Sequence, residues 1–167
     1  MECDGRAWGD FAVENSNNAQ YGRHVAQVSS EVSFCAGCRS CEVICAIVRD
    51  GITGPARQRL FVRRDIRLMT HEVQTCKQCI NHPCYNACPK KDEAMVIGED
   101  SIVYIDEQLC IGCGLCMRAC PFERSRINYF KEAPKEQRKA RKCDLCRGRK
   151  EGPACVQWCP VCCLEVR

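Results

Sequence analysis

The chain has 167 residues, 19 of them cysteine, and a formal net charge of +4 at pH 7. Leu, Ile, Val and Phe together number 34, near the share below which aliphatic side chains build no core of their own, so a conventional enzyme domain with a large apolar interior is excluded. The longest apolar run, residues 43–48, falls far short of the roughly 20 residues that span a bilayer, and the start of the sequence has no basic region, apolar stretch or twin arginine of an export signal.

The predicted elements are short. Residues 1–28 are rich in Asn, Gly, Ser and Gln, with Cys3 as their only thiol. They are expected to form an extended arm with little core, either a loose terminus or a segment that orders on a partner. Residues 28–34 read as a short strand leading into the first cysteines. A short helix is expected after Cys41, carrying Cys45 one turn on. Residues 59–69 have strand character at their apolar positions. Residues 95–97 and 102–105, joined by Gly98-Glu99-Asp100, read as a β-hairpin. A second short helix is expected after Cys116, and residues 127–130 as a further strand. The fold class is α+β.

Sixteen cysteines fall into four groups of four. The first is Cys35, Cys38, Cys41 and Cys45, and the third is Cys110, Cys113, Cys116 and Cys120. Both are spaced C-x2-C-x2-C-x3-C. The second is Cys76, Cys79, Cys84 and Cys88, and the fourth is Cys143, Cys146, Cys155 and Cys159. In the last three groups the final cysteine precedes a proline (Pro89, Pro121 and Pro160), which stops the helical turn that carries it. Without export the thiols stay reduced, so metal binding is expected rather than a disulfide framework. Sixteen thiolates could make four zinc sites, but zinc ribbons use two C-x2-C knuckles far apart. A tight C-x2-C-x2-C loop wraps three corners of a cubane, and the fourth thiolate must come from elsewhere. This spacing favours iron–sulfur clusters.

From Cys35 onward, about four-fifths of the chain, the sequence resembles the four-cluster ferredoxin-type electron-transfer subunits of multisubunit redox enzymes. The motifs that carry the resemblance are CAGCRSCEVIC, CKQCINHPCYNACP, CIGCGLCMRACPF and KCDLCRGRKEGPACVQWCP. Within that superfamily the opening CAGCRSCEVIC, Gly51 and Pro55 are most like the small iron–sulfur subunit of tungsten aldehyde oxidoreductase-type enzymes. The resemblance implies four 4Fe-4S clusters with crosswise ligands. Cys35, Cys38 and Cys41 would be completed by Cys159, and Cys143, Cys146 and Cys155 by Cys45. Cys76, Cys79 and Cys84 would be completed by Cys120, and Cys110, Cys113 and Cys116 by Cys88. It also implies two nested two-cluster ferredoxin-like modules, an inner one at residues 76–120 and a discontinuous outer one at residues 29–75 plus 121–167.

Cluster ligation changes the charge. Sixteen thiolates and four oxidised cores take the net charge from +4 to roughly −4, so the basic pI is no nucleic-acid footprint. Two basic stretches, residues 57–67 and 131–142, read first as a solvated face that partly compensates cluster charge, and second as a docking surface for an acidic partner. His24, His71 and His82 read as non-ligands. Cys162 and Cys163 read as inert packed thiols, and Trp158, Tyr85 and Phe122 as shields that keep water from clusters.

No nucleophile–base set, phosphate loop or dinucleotide fingerprint is present. The expected role is therefore non-catalytic: relaying single electrons in the cytoplasm, with no nucleic acid and no membrane as partner. The resemblance implies a large molybdenum- or tungsten-pterin catalytic subunit and a flavin or ferredoxin electron partner. The alternatives are service to a formate dehydrogenase, hydrogenase or carbon monoxide dehydrogenase, and a metal-held interaction module without redox function. The polar arm also suits head-to-tail self-association into a filament.

Overall fold

The computed structural model describes residues 20–27, 35–54, 56–132 and 137–167. Strand β1, Val25–Gln27, pairs antiparallel with the last strand, β8, Leu164–Val166, and Val25 lies opposite Val166. Residues 20–27 are therefore not an extended arm. The Gly22 N–H donates to the Gln78 carbonyl at 2.7 Å, Thr75 Oγ1 donates to the Val25 carbonyl at 2.5 Å, and Val25 is wholly buried. The backbone groups of this segment find their partners far away in sequence, where local composition gives no sign of them. Residues 1–19, with Cys3, and the strand expected at 28–34 lie outside the described residues, as do Pro55 and residues 133–136.

Helix α1, Ser40–Asp50, includes Cys41 and carries Cys45 one turn on, and both point inward with Ala46. Its charges suit the helix dipole, with Glu42 in the first turn and Arg49 in the last. Gly51, at φ 71°, ends it and donates its N–H to the Ile47 carbonyl at 2.8 Å, a left-handed stop that glycine adopts without penalty. The strand expected over 59–69 is shorter, β2 at Phe61–Asp65, and it turns back as β3, Thr70–Gln74. Asp65 makes the turn: its Oδ1 accepts the N–H groups of Arg67 and Leu68, each at 3.0 Å.

Helix α2, Pro83–Asn86, is one turn that opens on proline. The expected hairpin follows as β4, Met95–Ile97, and β5, Val103–Ile105. Helix α3, Leu115–Arg118, stops two residues before Cys120. Strand β6, Ile127–Glu132, outruns its predicted end and pairs with β7, Gln137–Lys142, in a hairpin whose second strand has no strand-like periodicity. Helix α4, Ala154–Gln157, is again one turn. Helix α1 packs on α4, and α2 on α3.

Two apolar clusters lie beneath these elements. In the larger, seven of fourteen buried members are cysteines: Cys41, Cys45, Cys76, Cys143, Cys155, Cys159 and Cys163, packed with Val25, Leu60 and Leu164. The smaller gathers Met95, Val103, Cys116, Ile127 and Ala140. Sulfur takes the place of aliphatic carbon, as the low Leu-Ile-Val-Phe content requires. Among the described residues no helix is long and apolar enough to cross a membrane.

Candidate metal centres

Thiols from different groups meet in space. One cavity is lined by Cys76, Cys79 and Cys84 of the second group with Cys120 of the third. Another is lined by Cys110, Cys113 and Cys116 of the third group with Cys88 of the second. Among the outer groups, burial raises the Cys155 thiol first, and its neighbours Cys45 and Cys146 raise it further. Burial, then Glu42, then Cys35 push Cys41 up to about 12, with Cys159 adding to them. Cys143 is raised well above its ordinary value by burial, then by Cys155. Cys38 and Cys113 are exposed.

These shifts state a chemical requirement. Burial alone keeps the thiols protonated, so they become ligands only when a cationic group replaces the protons. Backbone N–H groups already point at sulfur. Arg59 N–H donates to Cys45 Sγ at 3.4 Å, Gln78 N–H to Cys76 Sγ at 3.5 Å, Arg126 N–H to Cys120 Sγ at 3.3 Å and Cys163 N–H to Cys159 Sγ at 3.4 Å. Three of these acceptors, Cys45, Cys120 and Cys159, end their groups. Cys159 Sγ lies 3.6 Å from Cys163 Sγ, and that contact lowers the Cys159 thiol and raises the Cys163 thiol. Cys163 is buried as expected, whereas Cys162 is half-buried and disulfide-bonded rather than the free packed thiol expected.

The basic stretches correct one expectation. Arg59, Lys139, Arg141 and Lys142 are buried rather than solvated, while Arg63, Arg64 and Arg67 are exposed. Lys139 Nζ donates to the carbonyls of Cys110 (2.7 Å) and Gln108 (3.2 Å), holding the third cysteine loop. Lys142 and Arg126 line the cavity of Cys76, Cys79, Cys84 and Cys120, and Arg126 Nε and Nη1 have no hydrogen-bond partner among the described residues. Four thiols around a cavity, amide donors aimed at sulfur, and a buried lysine with no carboxylate partner among the described residues fit an anionic metal–sulfur group.

Sequence reasoning missed Lys142, Arg126 and Tyr129. Tyr129 lines the second cavity, and its buried hydroxyl faces the Gly114 backbone. The signal for Lys142 was its place immediately before Cys143, at the end of a strand that packs on β5. Of the histidines, His24 is buried with Nδ1 2.7 Å from the Gly22 carbonyl, and the His71 ring packs against Gly37. His82 lines the first cavity beside four thiols. Phe122 lines that cavity too, and Tyr85 packs on the smaller apolar cluster. Trp158 is 59% exposed and shields little.

Comparison with known proteins agrees with this chemistry. The chain is 37% identical over 126 residues to the polyferredoxin-like subunit of aliphatic sulfonate oxidoreductase from Pyrococcus furiosus, covering 75% of this chain and 66% of that one. It is 32% identical over 139 residues to the B subunit of polysulfide reductase from Wolinella succinogenes, covering 77% and 69%. It is 29% identical over 150 residues to the electron transport protein HydN of Escherichia coli, covering 80% and 83%. Of the longer Escherichia coli protein AegA, 36% identical over 137 residues, it spans 20% of the length. A family model described as a 4Fe-4S dicluster domain matches residues 68–167, and the chain is a member of that iron–sulfur family.

Proposed function

We propose that the chain is a non-catalytic electron-transfer subunit that holds four 4Fe-4S clusters through sixteen cysteines in crosswise sets. The sets are Cys35, Cys38, Cys41 and Cys159; Cys143, Cys146, Cys155 and Cys45; Cys76, Cys79, Cys84 and Cys120; and Cys110, Cys113, Cys116 and Cys88. The observation that carries this reading is the pair of cavities in which three thiols of one group meet the last thiol of another. The packing of α1 on α4 and of α2 on α3 supports two nested two-cluster modules.

A bound cluster supplies one-electron oxidation and reduction. The protein's own residues place the thiolates, donate N–H groups to sulfur and exclude water. Every thiol in a complete set is a ligand, which leaves no position for substrate. The exposed thiols Cys38 and Cys113 mark the sites nearest to partners. The catalytic partner we propose is a large tungsten- or molybdenum-pterin subunit of the aldehyde oxidoreductase type, with a flavin protein or ferredoxin at the other end of the route. A second reading is a partner that acts on a sulfur compound, as the names of the Pyrococcus and Wolinella relatives suggest.

Two measurements test this. Dithionite should bleach the broad visible absorption of the anaerobic protein rapidly, and air should restore it; a spectrum that dithionite leaves unchanged overturns the redox role. Isolated with its native complex, the protein should carry a large pterin-containing subunit. An aldehyde reducing the clusters supports the first partner, and reoxidation by polysulfide or a sulfonate supports the second.

A further inference from the structure

The two inner cavities differ in charge. The cavity of Cys76, Cys79, Cys84 and Cys120 is also lined by Lys142, Arg126 and Lys77. Lys142 is 3% exposed, and its Nζ donates to the Val103 carbonyl at 2.6 Å and to Gln78 Oε1 at 3.0 Å. Both acceptors are neutral, and no carboxylate pairs with Lys142 among the described residues. The Arg126 side chain is 10% exposed, with Nη2 4.0 Å from Glu72 Oε1 as its nearest carboxylate contact. Its guanidinium lies over Phe122, 4.9 Å from the ring centre. The other cavity has one lining cation, Lys90, whose side chain is 42% exposed and paired to Glu93 at 2.7 Å; the buried Lys139 stands behind its cysteine loop, donating to the Cys110 and Gln108 carbonyls, and does not line the cavity.

A buried ammonium without a counter-charge is costly. Its presence here is explained by an anion beside it, and the four-thiolate centre is that anion. Reduction adds one more negative charge, so a fixed cation nearby favours the reduced state. We propose that Lys142 and Arg126 make the centre held by Cys76, Cys79, Cys84 and Cys120 the more easily reduced of the inner pair. An electron on the inner unit then rests there. The step is a bare transfer: one electron leaves the reduced centre of the Cys88 set and enters the oxidised centre of the Cys76 set, no bond forms or breaks, and no proton moves.

The resting place adjoins the outer sites. Gln78 lies between Cys76 and Cys79, and its Nε2 donates to the Cys143 carbonyl at 2.9 Å. Its Oε1 accepts from Lys142 Nζ at 3.0 Å and from Val103 N–H at 3.1 Å. Lys142 and Gln78 thus stand at the junction where an electron passes between the inner and outer sets.

This inference rests on the ligand sets proposed above, and the experiment separates the two. The holoprotein and its Lys142→Met, Lys142→Arg, Arg126→Gln and Lys90→Met variants are titrated potentiometrically without oxygen, with paramagnetic resonance as the readout. Lys142→Met and Arg126→Gln should each make the same single transition at least tenfold harder to reduce, a shift of about 59 mV or more for one electron. Lys142→Arg should restore it, and Lys90→Met should leave it in place. Cys79→Ser should alter the signal that Lys142→Met moves. Iron–sulfur signals that stay put in Lys142→Met and Arg126→Gln, or that all shift equally, overturn the role of the two cations. A wild-type protein without such signals overturns the ligand sets themselves.

Discussion

Gly112 occupies a position that no other residue can take. Its φ is +69°, and a Cβ built there would collide with the Arg138 carbonyl oxygen. The loop of Cys110 and Cys113 therefore lies directly against strand β7. Gly112→Ala must push backbone from backbone, at a cost of about 1–3 kcal/mol for the backbone strain alone. The expected result is a lower thermal midpoint and loss of about a quarter of the bound iron; unchanged iron and midpoint would show that the loop is not so placed. His24 gives a pH dependence. Burial lowers its pKa below 6.5, so the unfolded state binds the proton more tightly and stability rises with pH in this window. Stability is then lost as pH falls below about 6.5. Amide exchange in Val25–Gln27, corrected for intrinsic rate, should accelerate between about pH 7.5 and pH 5.5, and His24→Gln should flatten that dependence.

At the scale of elements, a buried ionic network replaces apolar packing between α1, β7 and the segment after β5. Arg59 Nη2 lies 2.7 Å from Glu107 Oε1 and 3.2 Å from Asp50 Oδ1, while Arg141 reaches Asp50 Oδ2 at 2.6 Å and Glu107 Oε2 at 2.8 Å. Asp50 closes α1 with its side chain 9% exposed, whereas that of Glu107 is 28% exposed. Asp50→Asn leaves two buried guanidinium groups sharing Glu107 as their one carboxylate and should cost about 1–3 kcal/mol, with Glu107→Gln costing less; equal and small effects in chemical unfolding would contradict this. Cysteine spacing made the helices that carry Cys45 and Cys116 legible, because ligand reach dictates local geometry there, and the apolar residues on either side of Gly98-Glu99-Asp100 made the β4–β5 hairpin legible; the one-turn helices α2 and α4 were not foreseen. The pairing of β1 with β8 was not legible, since each strand has three residues, too few for a period. Strand β7, reading QRKARK, also gave no alternation. Arg141 is buried by the carboxylates it pairs with, and Lys139 and Lys142 by neutral oxygens they donate to, partners that no hydrophobic pattern records.

At the scale of the whole molecule, the proposed outer sets draw on both flanks of the sequence and the proposed inner sets do not. In that proposal Cys45 completes Cys143, Cys146 and Cys155, and Cys159 completes Cys35, Cys38 and Cys41, whereas both inner sets lie within residues 76–120. A chain ending at Lys142 retains the β6–β7 hairpin over the smaller apolar cluster. It should keep about half the iron and lose the rest; loss of all iron would show that the inner module cannot stand without the outer one. The bound metal is the molecule's most direct signature. Iron, acid-labile sulfide and zinc should be quantified per polypeptide on protein purified without oxygen. The prediction is about sixteen iron and about sixteen sulfide, and stoichiometric zinc without sulfide would contradict it.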